Sequence, residues 1–300
     1  MENVLTLITD PARGGLDDST VQTVRDALKG LGAQVGSPDW LDDGVAVDLP
    51  FEDAEPDHAD ACVRKVVADA GVAADVVAQA TGDRRKMLLV ADMDSTIVTG
   101  ETLDELADFA GLKEKIAAIT ARAMNGELDF KAALRERVGM LKGLSADALE
   151  QCFTRVEYTP GAEALVRTMA ANEAHCILVS GGFKFFTTRV AAHCGFHADL
   201  SNDFIIENGA LAGTVVEPIL DRDTKLQTLI AAAAERRLPL SRTLAVGDGA
   251  NDLDMIKAAG LGVAFHAKPS VAAEARVRID HGDLTALLYA QGYRKSQFAA

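Results

Sequence analysis

Cysteine is scarce and scattered in this chain. The four thiols, Cys62, Cys152, Cys176 and Cys194, contain no C-x-x-C pair. That excludes a disulfide framework and a zinc site, and the expectation is reduced thiols in a cytoplasmic protein. Basic residues are also in deficit. Lysine and arginine total 30 against 45 acids, for a net charge of −15. Nucleic acid and anionic membrane are therefore poor partners. Long apolar runs are missing as well. No stretch approaches the roughly 18 consecutive apolar residues of a membrane span. The start, Met1-Glu2-Asn3-Val4, has neither the basic nor the apolar region of a secretory leader.

What is present is a core-forming chain of 300 residues, 48% hydrophobic, enough for one large domain or two modest ones. Residues 1–80 read as a unit of their own. Strand signals at Val4–Ile8, Ala33–Val35, Val45–Leu49 and from Val76 alternate with helical spacing over Ser19–Leu31 and Asp57–Ala70. The order β-α-β-β-α-β is the ferredoxin-like plan. This layout resembles ACT-type regulatory domains in topology alone. A structural or dimerising role, giving a homodimer through this unit, is expected ahead of an effector site. Thr81 to Lys86 is a polar, charged link.

Residues 86–300 read differently. Short apolar strands at Leu88–Ala91, Cys176–Val179, Thr243–Val246 and Leu261–Phe265 alternate with helices. That rhythm predicts an α/β fold with a doubly wound parallel sheet. A helical block over about 100–158 interrupts it after the first strand, as an inserted cap would. Phe204–Val216 reads as a hairpin turning at Glu207-Asn208-Gly209.

Four segments fall at strand ends of this sheet, where parallel sheets bind ligands. Leu88-Leu89-Val90-Ala91 stops at Asp92-Met93-Asp94-Ser95-Thr96. Two crowded carboxylates there call for a cation, and oxygen-only ligands suit Mg²⁺. Alone, Asp-x-Asp fits a turn or helix N-cap equally well. Ser180-Gly181-Gly182 precedes a helix starting near Phe183 and gives backbone access to an anion. Alone, it is an ordinary turn. Lys225 opens a long helix, and a lone lysine is usually a solvated charge. Gly247-Asp248-Gly249-Ala250-Asn251-Asp252 repeats the acid-at-strand-end logic, with more carboxylates than a turn needs.

The combination, in this order, resembles the haloacid dehalogenase superfamily over roughly residues 86–285. The resemblance implies a Rossmannoid core with a helical cap and phosphoryl transfer through a covalent aspartyl-phosphate. It assigns Asp92 as nucleophile and Asp94 as general acid, then base. Ser180 and Lys225 become the phosphoryl-binding pair. Mg²⁺ is assigned to the Asp92 carboxylate, the Asp94 main-chain carbonyl and Asp248, with Asp252 supporting it through water.

Within that superfamily, Asp92-Met93-Asp94-Ser95-Thr96 matches the signature of the phosphoserine phosphatase family. The likeness implies hydrolysis of O-phospho-L-serine, the last step of serine biosynthesis. It places Glu101 at the substrate ammonium, Arg137 at its carboxylate, and Met124 and Phe130 over it. Ser180, Gly181 and Asn251 complete the substrate contacts. Each has a plainer reading: a helix-start acid for Glu101 and cap packing for Met124 and Phe130. Arg135 is expected on another helix face. His193 and His197 invite a metal reading, but Gly195 between them predicts a helix end and a packing role. Phosphohomoserine or phosphothreonine as substrate, or amino-acid sensing on a phosphatase scaffold, are the competing readings.

Overall fold

The computed structural model describes residues 1–124 and 127–299, apart from the side chains of Ala121, Ala123 and Met124. Its first sheet is built from β1 (Asn3–Ile8), β2 (Gln34–Val35), β3 (Asp39–Asp42), β4 (Ala46–Glu52) and β5 (Asp75–Ala80), with helices α1 (Asp18–Gly30) and α2 (Pro56–Asp69) between them. The order is β2-β4-β1-β5, all antiparallel, with β3 beside β4. One short strand, β3, lies where the sequence suggested only a turn.

Strand alternation gives this sheet two different faces. Leu5, Leu7, Val47, Leu49, Val76 and Ala78 bury against Val21, Val24, Leu28, Ala59, Val63 and Val67 of the two helices. The other face carries Thr6, Asp48, Asp75 and Gln79 among its apolar residues, all four buried.

The second sheet follows. Its elements run β6 (Leu88–Ala91), α3 (Thr102–Phe109), α4 (Lys113–Met124), α5 (Phe130–Met140), α6 (Asp147–Phe153), α7 (Ala162–Ala171), β7 (His175–Phe183), α8 (Lys184–Cys194) and β8 (Ala198–Asn202). A hairpin of β9 (Phe204–Glu207) and β10 (Ala210–Val215) comes next. Then come α9 (Arg222–Glu235), β11 (Thr243–Gly247), α10 (Leu253–Ala258), β12 (Leu261–Phe265), α11 (Pro269–Ala272), β13 (Val277–Ile279) and α12 (Ala286–Ala290). Six strands pair in parallel in the order β13-β12-β11-β6-β7-β8. Leu88 and Val90 face Leu229 and Ala233 of α9. Leu89 and Ala91 join the larger cluster with Leu165, Met169 and Phe186. Burial on both faces explains the uninterrupted apolar strand sequences. The helices α3 to α6 all lie in the connection from β6 to β7. At its two ends, Val98 bridges Tyr158, and Thr99 N donates to Glu157 O at 2.9 Å.

The polar face of the first sheet docks on the C-terminal elements. Asp75 accepts the main-chain N–H groups of Asp280 and Gly282, each at 2.7 Å. Arg84 donates twice to Asp48, at 2.6 and 2.7 Å, and to Ala290 O at 2.9 Å. Tyr289 donates to Asp42 at 2.6 Å. The charged link is therefore part of a seam. Among the described residues no helix is long and apolar enough to cross a membrane. All four cysteines are free, three of them buried.

Candidate active site

The central strand β6 lies between β11 and β7, so the chain leaves it first toward β7 and later returns to its other side at β11. Such a switch point opens a crevice at the strands' carboxyl ends. Asp92 follows β6 directly and its N–H donates to Val246 O at 3.0 Å. The register pairs Ala91 with Val246, so Asp248 emerges beside Asp92.

After Asp92 the backbone turns sharply. Asp94 is extended and Ser95 takes φ 55°. That left-handed conformation costs an ordinary residue about 1–2 kcal/mol. Ser95 N donates to Gly100 O at 3.1 Å and its hydroxyl to Glu101 Oε1 at 3.0 Å, which hold the turn. Asp94 Oδ1 accepts the Thr102 N–H at 2.8 Å, and Oδ2 accepts the Ser180 hydroxyl at 3.1 Å. Burial, then the Glu101 and Asp92 charges, push the Asp94 carboxyl up to about 7. A carboxyl so poised can give a proton and take one back.

Ser180-Gly181-Gly182 lies within β7, where the pairing to β8 slips between Val179 and Phe183. The sequence suggested that the strand ended before Ser180; a bulge there instead turns the serine inward. Gly182 N donates to Ser180 Oγ at 2.8 Å. A side chain on Gly182 would come 3.0 Å from Asp94 Oδ2, so the close approach needs glycine. Helix α9 begins at Arg222, ahead of Lys225, fixed by a capping box between Asp221 and Thr224. This puts Lys225 in its first turn, aimed inward and buried.

Lys225 Nζ stands 2.8 Å from Asp92 Oδ1 and 2.5 Å from Asp252 Oδ1. Burial works against its charge, but the two carboxylates outweigh it and raise its pKa. Asp92 Oδ1 also accepts the Met93 N–H at 2.8 Å. Its Oδ2 has no hydrogen bond among the described residues. Asp252 Oδ2 accepts Gly249 N at 3.0 Å. A β-carbon on Gly247 would lie 2.3 Å from Asp252 Cγ, which excludes any other residue there.

Carboxylate oxygens of Asp92, Asp248 and Asp252 lie within 4.8 Å of one another, and all three residues are buried. Asp248 is pushed above the usual carboxylate range by burial and then by the Asp92 charge. Crowded negative oxygens of this kind fit a hard divalent cation. Asp94 is not in this carboxylate cluster; its carboxyl is turned to Thr102 and Ser180.

A cavity of about 310 Å³ joins Asp92, Asp94, Ser180 and Asp248 to Glu101, Phe130, Arg137, Gly181 and Asn251. Phe130, though 40% exposed, overhangs Gly181, where an added β-carbon would meet its ring at 3.3 Å. Arg137 Nε makes one long bond, to Ala133 O at 3.4 Å. It has no carboxylate within ion-pair reach among the described residues. Arg135, two positions earlier, is exposed and pairs with Glu217 at 2.6 Å. The side chain of Met124, expected over the substrate, lies outside the described residues. The sequence reading left Lys268 without a role and passed over Thr96. Lys268 lines the cavity beside Pro269, which opens α11, and the Thr96 hydroxyl reaches Asp248 at 3.4 Å. A lysine just past a strand, before a helix-starting proline, was the available signal. His193 pairs with Glu163 and stacks on Tyr158. His197 accepts the Cys176 N–H at 3.1 Å. Gly195 ends the helix between the two histidines.

Residues 89–257 match the family model of haloacid dehalogenase-like hydrolases. The chain is 41% identical over 217 residues to phosphoserine phosphatase SerB2 of Mycobacterium tuberculosis, covering 72% of this chain and 53% of that one. It is 45% identical over 199 residues to a phosphoserine phosphatase of Streptococcus thermophilus, covering 66% of this chain and 93% of that one. The unliganded structure of a probable phosphoserine phosphatase from Vibrio cholerae superposes with a TM-score of 0.79 at 28% identity, over 99% of this chain and 88% of that one. The match spans 53–62% of the length of the first three curated relatives. By the matched segment and the arrangement of its strand-end acids, the chain belongs to the haloacid dehalogenase-like hydrolases.

Proposed function

We propose that the chain hydrolyses O-phospho-L-serine to L-serine and phosphate, with Asp92 as nucleophile. One observation carries this reading. Arg137, a guanidinium with no ion-pair partner among the described residues, and the carboxylate of Glu101 share one cavity with Asp92, Asp94 and Ser180, and Lys225 pairs with Asp92 from behind. Arg137 suits a substrate carboxylate and Glu101 an ammonium. The relatives from Mycobacterium tuberculosis and Streptococcus thermophilus are named phosphoserine phosphatases, which supports this reading.

In the first step, an Asp92 carboxylate oxygen attacks phosphorus and the ester P–O bond breaks. Asp94, protonated, gives its proton to the departing serine oxygen. In the second, Asp94 takes a proton from water, the water oxygen attacks phosphorus, and the Asp92–phosphorus bond breaks. The carboxyl near neutrality serves both steps. Lys225 and Ser180 hold phosphoryl oxygens, and Lys225 offsets the repulsion between Asp92 and a dianion. Asp92, Asp248 and the Asp94 carbonyl, with Asp252 behind, would hold a Mg²⁺ ion, which would supply further neutralisation of developing charge.

We read α3 to α6 as a cap over this cavity. The paired segments at 98–99 and 157–158 are its hinge, and Phe130 and Met124 are its closing residues. The division at about 80–86 and an ACT-like character for the first unit belong to the same reading. The strand order and the placing of both helices on one face support it. With its other face docked, a homodimer through this unit is left with its helices and the β2–β3 edge. Free thiols fit a cytoplasmic enzyme. The decisive assay measures phosphate release from phosphoserine, phosphothreonine, phosphohomoserine and an aryl phosphate, after chelation and after Mg²⁺ is restored. Preference for phosphoserine with full Mg²⁺ dependence is expected. Equal rates on all four, or turnover surviving chelation, defeats the reading.

A further inference from the structure

A second pocket, shallow and largely open to solvent, of about 400 Å³, lies at the seam and shares no lining residue with the catalytic one. Its walls include Arg84, Arg85 and Arg242 but a single carboxylate, Asp83. In a chain of net charge −15 this is a marked local reversal. Arg84 is balanced by Asp48. The others are not balanced in that way. Arg85 lies over the Tyr293 ring at 4.0 Å and donates to Gln297 Oε1 at 3.2 Å, with no carboxylate within ion-pair reach among the described residues. Arg242 reaches Asp83 only at 3.5 Å, and its buried Nε has no acceptor among the described residues. Buried Lys86 gives its ammonium to two main-chain oxygens, of Asp83 and Ser241, each at 2.7 Å. Burial, with Arg242 and Arg276 adding repulsion, brings that ammonium down to about 8.

We infer that this seam pocket binds a phosphate-type oxyanion, with Arg85 and Arg242 as its two guanidinium arms. Planar guanidinium forks match the oxygens of a phosphate. An anion there would offset the positive charge of Arg85 and Arg242, which share the pocket with one carboxylate, Asp83, itself held by the Ser241 hydroxyl at 2.7 Å. Free phosphate and the phosphoryl group of a small ester present the same chemistry. The inference is independent of the catalytic reading, because the two cavities have no residue in common.

Amide hydrogen exchange on the full chain with Mg²⁺ tests it, with inorganic phosphate and glycerol phosphate as separate probes. Protection is expected over 81–87, 240–243 and 291–293, with a midpoint distinct from that of the catalytic loops. Protection by phosphate alone assigns the free ion, and protection by both probes assigns the phosphoryl group. Arg85→Gln with Arg242→Gln is expected to weaken the seam midpoint by about tenfold or more, with turnover unchanged. The lysine pair at the same positions, which keeps the charge, is expected to fall between. Protection confined to 92–96 and 180–182 overturns the inference, as does the same protection with chloride at equal ionic strength. If the glutamine pair lowers the melting temperature, the lysine pair decides, and an unchanged midpoint in it and a single Arg242→Gln variant is a negative result.

Discussion

Lys225 and Asp92 form an ion pair of 2.8 Å with side chains only 3% and 8% exposed. Removing one partner of a buried pair leaves a charge that water cannot reach. Lys225→Met is expected to cost about 3–5 kcal/mol of stability in urea denaturation of the metal-free protein. Phosphoserine turnover should fall by roughly 100- to 1,000-fold. Adding Asp252→Asn should restore part of the stability but none of the turnover, since it removes one of the two stranded charges and leaves Asp92 without its cation.

Arg137 and Arg135 are two residues apart and differ in what they face. Arg137→Ala should lower kcat/KM for phosphoserine by about 10- to 150-fold, the equivalent of about 1.5–3 kcal/mol for a charge-assisted contact. The loss should be mainly in KM, and an aryl phosphate should be spared. Arg135→Ala removes an exposed pair with Glu217, worth about 1 kcal/mol or less. Its kinetics should be close to those of the parent on both substrates.

The seam gives a stability prediction separate from catalysis. Arg84→Ala strands buried Asp48 and releases Thr6 Oγ1 and Ala290 O. A loss of about 3–5 kcal/mol is expected by denaturation, with kcat/KM of the folded enzyme unchanged. Arg84→Lys should recover only part, because a single ammonium does not reproduce the two parallel bonds to Asp48.

His175 gives the pH dependence. Burial, then Arg236 and the His197 ring, lower its pKa to about 4. The unfolded chain, with an ordinary value of about 6.5, therefore holds more protons between those limits. Stability should fall as pH drops from about 6.5 toward 4 and level off below. His175→Gln should flatten that slope in thermal melts across the same range. A slope unchanged in the variant would assign the effect to other groups.

Much of the catalytic crevice was legible because its chemistry sits where apolar strands stop. Leu88–Ala91 and Thr243–Val246 are buried on both faces, and the acids after them have one place to go. The turn at Asn208-Gly209, both with positive φ, and the helix end at Gly195 were equally local signals. The bulge at Ser180 was not legible. It arises from the slipped pairing with β8, whose Ala198–Asn202 sequence is mixed and only partly buried. Nor was the seam: Thr81 to Lys86 has the composition of a solvated link. Its cations find partners such as Asp48 and Ala290 that only the three-dimensional fold brings near. Lys268 had a local signal, a lysine past a strand and before a helix-starting proline, but its place on the cavity wall depends on the fold.

Asp75 meets the N–H of Asp280 across 205 residues of chain. During synthesis the first sheet emerges long before the segment that covers its polar face. At about 5–20 residues per second, Asp75, Asp48 and Gln79 wait in solvent for roughly 10–40 s before that segment appears. A face that carries Asp48 and Asp75 among its apolar residues tolerates that delay better than a wholly apolar one. The same polarity that makes the docked surface look ill-suited to an interior keeps the nascent chain from sticking to its neighbours.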